Sequence, residues 1–248
     1  MLRHPALRRC PAESAARAAC MTRRCRTPSV RRLRLNLRSL LTWCTIWGVA
    51  FGVLEGAVVV YLRHIAYPEG FAFPLKDIPA NLRLTEVVRE AATIVMLLGV
   101  ARLAVQGGLR RFAVFAFLFG VWDIVYYLAL MAFVGWPDSP MTWDVLFLIP
   151  LPWTSPVLAP VLVSLALIGS AVAILSEPDT RRHEVLRPVD WLIEIAAGVA
   201  IIASFLWNQP AIDAHTVPTA YPWWLFLIGW GLGVGWFTWR WSRRWVLS

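Results

Sequence analysis

The 248-residue chain is 58% hydrophobic, with a mean hydropathy of +0.60. That excludes an ordinary soluble domain and points to a membrane protein. The formal charge is +9, and of 24 basic residues only Lys76 is a lysine. A basic chain invites a nucleic-acid reading. Here the arginines gather at the ends of apolar segments, as membrane topology requires, so no nucleic-acid partner is expected.

Residues 1–38 form a basic segment with one acid, Glu13. Its arginine, alanine and serine content resembles a transit peptide. The pair Arg31-Arg32 resembles a twin-arginine signal, but the apolar segment that follows is long enough to span, and no A-x-A cleavage site is present. The expected state is a disordered cytoplasmic tail, with Met21 offering an alternative start. Cys10, Cys20 and Cys25 lie in this tail, and Cys44 lies in the first apolar segment. Their spacing matches neither a disulfide framework nor a zinc site.

Six segments approach the ~20 apolar residues a membrane core needs. They run over 40–62, 86–106, 112–134, 155–176, 189–207 and 222–240. A seventh stretch, VLFLIPLPW at 145–153, is too short to span and carries two prolines. It reads as a re-entrant or interfacial segment, tolerated at membrane depth only when buried in protein or lining a cavity. The expected fold is therefore all-α: a polytopic integral membrane protein with a single six-helix domain over 39–248.

Arginine and lysine counts set the orientation. With the tail inside, the inner set is 20 residues and the outer set is four: Arg63, Lys76, Arg83 and Arg89. The connections 135–154 and 208–221 hold no Arg or Lys. Both termini are therefore expected in the cytoplasm of a bacterial-type inner (plasma) membrane. Tryptophans near both predicted membrane faces agree, and only Trp122 and Trp230 fall near mid-membrane. Membrane lipids are the expected surroundings. Two glycine stripes, Gly48/Gly52/Gly56 and Gly229/Gly233, allow close helix approach. They fit either a homodimer face or packing within one bundle, and the bundle comes first in a six-helix protein.

The polar residues within these segments carry the functional reading, because ionisable groups at membrane depth are costly and usually functional. From a rise of ~1.5 Å per residue, Glu55 lies about 22 Å, and Asp123 about 17 Å, from the inner edge of the core. Glu90 lies about 6 Å below the outer surface. Glu86, Glu90 and Thr93 share a helical stripe, and Arg89 is three residues from Glu86. Asp123 shares a helical stripe with Tyr126 and Tyr127, whose hydroxyls are candidate donors to it. Asp144, after Trp143, leads into the short segment. Glu194 falls in the inner half and is set apart.

The expected centre is an outward-facing pocket of Glu55, Glu86, Arg89, Glu90, Asp123, Tyr126, Tyr127, Trp143 and Asp144. So many carboxylates around one arginine cannot all ionise at close range. Three uses fit: a hard divalent cation, proton carriage in a transporter, or acid–base chemistry on a lipid or isoprenoid. The structural alternative is a salt-bridge network that fixes helix packing. The four histidines, His4, His64, His183 and His215, lie outside the predicted spans, so neither haem nor zinc is expected. Walker A, HExxH and GxSxG motifs are absent. Binding or transport of a cation or small polar solute is the leading expectation. An intramembrane lipid enzyme and a structural partner are the rivals.

Overall fold

The computed structural model describes residues 36–71, 73–76, 79–177 and 187–246. The expected tail, apart from residues 36–38, and the pair Arg181-Arg182 lie outside the described residues. Of the described residues, 74% are helical. Among the described residues, four helical stretches are long and apolar enough to cross a membrane: Leu37–Ala66, Gly108–Val134, Leu158–Ser176 and Pro188–Asp213.

Helix α1 (Leu37–Ala66) starts at Asn36, whose side chain accepts from the Arg38 N–H at 3.3 Å. This satisfies one of the free donors of the first turn. Helix α2 (Ala80–Ala104) is less apolar because Arg83, Glu86, Arg89 and Glu90 crowd its first half. Helix α3 (Gly108–Val134) ends at Gly135, whose positive φ of 67° closes the last turn onto Met131. Helix α4 (Leu158–Ser176) accommodates Pro160 in its first turn, where the missing N–H costs nothing.

Helix α5 (Pro188–Leu206) opens with Pro at its first position. Asp190 accepts from the Arg187 N–H at 2.8 Å, from Trp236 Nε1 at 3.0 Å and from Arg240 at 3.0 and 3.1 Å. This buried carboxylate therefore pins α5 to α7 (Trp223–Val246) and is fully occupied in doing so. The short α6 (Gln209–Asp213) lies between them.

Two glycine stripes set the helix spacing. A Cβ on Gly52 would lie 2.8 Å from the Trp122 carbonyl oxygen, and one on Gly56 2.8 Å from Ala129 Cβ. A Cβ on Gly229 would lie 2.8 Å from the Ala197 carbonyl oxygen. Both stripes named in the sequence as close-packing faces thus serve contacts within the chain, α1 on α3 and α7 on α5. The main core fills the space among α1, α2, α3 and α4 around Leu40, Leu97, Val114, Leu118 and Ile174.

The 145–153 region is not helical. Strands β1 (Trp143–Phe147) and β2 (Trp153–Pro156) pair antiparallel, with Asp144 opposite Ser155 and Val145 opposite Thr154. The fold is mostly helical rather than all-α. The reason is local: Pro150, Pro152 and Pro156 remove backbone donors that a helix needs, and the flanking Trp, Val, Phe and Thr residues suit paired strands.

Candidate functional site

The hairpin and the first three helices surround a cavity of about 530 Å³. Helix α1 contributes Glu55 and Arg63, α2 contributes Glu86, Arg89 and Glu90, and α3 contributes Asp123, Tyr126 and Tyr127. The hairpin adds Asp144 to Leu148, and α6 with its flank adds Gln209, Asp213 and His215. Each expected pocket residue except Trp143 lines this space. Trp143 turns away and packs its ring 6.3 Å from Phe73 and 6.1 Å from Tyr221.

Arg89 holds two helices together. Its Nε donates to Glu86 Oε2 at 2.9 Å, its Nη2 donates to Glu86 Oε1, and its Nη1 donates to Glu55 Oε1. The Glu86 pair follows from i,i+3 spacing. The Glu55 pair ties α2 to α1.

Glu90 has a different task. Both of its oxygens accept the Leu148 N–H, at 2.9 and 3.1 Å. This amide lies just past β1, where the ladder has ended, and an unpaired backbone donor in an apolar setting is costly. The carboxylate supplies the missing acceptor. Among the described residues, Glu90 forms no ion pair.

Asp123 is partly buried and accepts from the Ser164 hydroxyl at 2.8 Å. The expected tyrosine donors are displaced by this serine from α4. Gly120 makes that possible: a Cβ there would lie 2.6 Å from the Ser164 carbonyl oxygen. Its absence lets α4 approach one turn before Asp123. Gly120→Ala is therefore expected to push α4 away and cost about 1–3 kcal/mol by overpacking. Its unfolding midpoint in detergent, compared with wild type, checks this.

Asp144 pairs with Arg63 Nη2 at 3.2 Å. The Arg63 guanidinium lies 4.4 Å from the centre of the Phe71 ring and 3.8 Å from that of Trp136. Aromatic faces on both sides compensate its lost hydration. Burial pushes the Asp144 carboxyl up to about 6, while Arg63, the Val145 N–H and the Tyr127 hydroxyl pull the other way. Asp144 Oδ2 is buried without a hydrogen-bond partner.

A second cavity, of about 330 Å³, lies among α3, α4, α5, α7 and the hairpin. It shares Asp123, Leu146 and Phe147 with the first. Its walls are mostly apolar, but Glu194 lines it, with Oε1 buried and unpartnered. Glu194 is thus absent from the polar cavity yet connected to Asp123 through the adjoining one.

Three parts of the site were not evident from the sequence. Arg63 looks like a loop residue, although it lies eight residues from Glu55 and so near its helical face. Ser164 is one small polar residue in an apolar run and gives no distinct signal. The Leu148 amide belongs to the backbone, which residue types do not reveal. Among the described residues, no three His, Cys, Asp or Glu side chains come together as a metal-holding group. The carboxylates instead face the cavity with other partners: Arg89 for Glu55 and Glu86, Arg63 for Asp144, the Leu148 amide for Glu90 and the Ser164 hydroxyl for Asp123.

No family model matches the chain, and neither the curated proteins nor the solved structures contain a significant match. The functional reading therefore rests on the cavity and its residues.

Proposed function

We propose that the protein crosses a bacterial-type inner membrane six times, with both termini in the cytoplasm, and takes up a small polar solute through an outward-facing cavity. In this reading α2 and α7 join the four more apolar stretches as membrane crossings. The charges of α2 are acceptable at that depth because they face the cavity and pair there. The 20-to-four distribution of basic residues supports the orientation.

The observation that carries the proposal is that Glu55, Glu90 and Asp123, from three different helices, line one cavity with Arg63 and Arg89. Arginine occupies Glu55, Glu86 and Asp144. Glu90 and Asp123 keep carboxylates that a ligand can engage. They favour a solute carrying a cationic amine or several hydroxyl donors.

A direct test is thermal unfolding of the purified full chain with sodium, magnesium, calcium, free amino acids and simple polyols. At least one class should raise the midpoint by binding the folded state, and Asp123→Asn should remove that rise. If none of these probes shifts the midpoint, uptake of a small polar solute is the wrong reading. The second cavity favours one rival, an enzyme acting on a lipid. That rival predicts that the Asp123→Asn protein folds normally but lacks turnover, with solute binding never detected.

A further inference from the structure

We propose that the polar group recognised in the first cavity is the head of a single-chain amphiphile, whose hydrocarbon chain lies in the second. The inference rests on the polar binding site proposed above and replaces its free solute by a polar head carried on a hydrocarbon chain. Its basis is the shape of the second cavity and the wall the two spaces share.

The second cavity follows α5 from Glu194 to Phe205, a rise of about 16 Å at 1.5 Å per residue. Its volume of about 330 Å³, spread over that length, makes a long slot that suits an extended chain better than a compact solute. Val163, Leu167, Ile201 and Phe237 are among its apolar lining residues. Between Asp123 and Glu194 the walls are mostly apolar and offer water few partners. A hydrocarbon chain restores the contacts that an empty slot would forgo.

The shared wall fixes where the head lies. Asp123, Leu146 and Phe147 face both cavities. A chain in the slot therefore ends at Asp123, beside the carboxylates left free by the arginines. Those carboxylates select an amine or hydroxyl head over an acidic one. Glu194 lines the other end of that span, so a chain much longer than about 16 Å meets a polar group.

The test uses the full chain in phosphatidylcholine vesicles. The probes are a single-chain amine with a photoactivatable diazirine in its tail and the same chain ending in a carboxylate. Crosslinked residues are located by mass spectrometry. The amine is expected to label slot residues such as Val163 and Ile201. Ala166→Phe and Ser170→Phe, which fill the slot at two heights, should each lower that labelling roughly tenfold, the effect of displacing about two methylenes. If one variant fails to fold, the other gives the same readout. Label spread evenly over lipid-facing surfaces, or unaffected by both substitutions, would overturn the chain site. Equal slot labelling by both probes would overturn the assignment of the head. In either case solute-induced midpoint shifts in the same preparation show separately whether the polar cavity still binds.

Discussion

Arg89→Leu is expected to destabilise the chain by about 3–5 kcal/mol, the usual result of removing one partner from a buried ion network. Glu55 and Glu86 are both buried and both depend on this guanidinium. Without it, two carboxylates from neighbouring helices are left close together without a counter-charge. The measurement is equilibrium unfolding in detergent. The triple variant Arg89→Leu, Glu55→Gln, Glu86→Gln should recover much of the loss, because it removes the orphaned charges as well. A triple variant no more stable than Arg89→Leu would mean that Arg89 acts through packing and not charge.

The pair of Arg63 and Asp144 should give the second largest effect, and it should depend on pH. Burial raises the Asp144 carboxyl to about 6 in the folded chain, against about 3.9 when unfolded. The folded state therefore binds more protons between those values. The contribution of this group to stability is fully present below about pH 4 and is lost as pH rises through about 6. Arg63 limits that fall by favouring the ionised form. In Arg63→Leu the decline should continue above pH 6, leaving the variant about 3 kcal/mol less stable near neutrality. Asp144→Asn should flatten this part of the profile. Unfolding midpoints measured across pH 4–8 test all three statements. A wild-type profile unchanged by Asp144→Asn would contradict the assignment.

Much of the helical architecture could be read from the sequence because it depends on long apolar runs and their ends. The runs at 112–134 and 189–207 match α3 and α5 to within a few residues. The pairing of Glu86 with Arg89 follows from spacing on one helix, and so does the shared face of Glu86, Glu90 and Thr93. What spacing cannot supply is the partner from another element. Asp123 has two tyrosines nearby in sequence, but its donor is Ser164, brought in from α4 by the missing side chain of Gly120. Asp144 finds Arg63 across 81 positions. The hairpin was hidden by its own composition, since VLFLIPLPW is apolar enough to suggest a membrane segment. Its prolines excluded a helix without indicating that two strands would pair.

The proposed function requires that the polar cavity open to the outer side of the membrane. The most direct test places a single cysteine at Tyr126, a cavity-lining residue, in a full-length chain whose four native cysteines are replaced by serine. A membrane-impermeant thiol reagent is added to intact cells and, separately, to inverted membrane vesicles. Modification is expected in intact cells, and protection in inverted vesicles sealed against the reagent. Modification only from the inverted side, or from neither side, would contradict it.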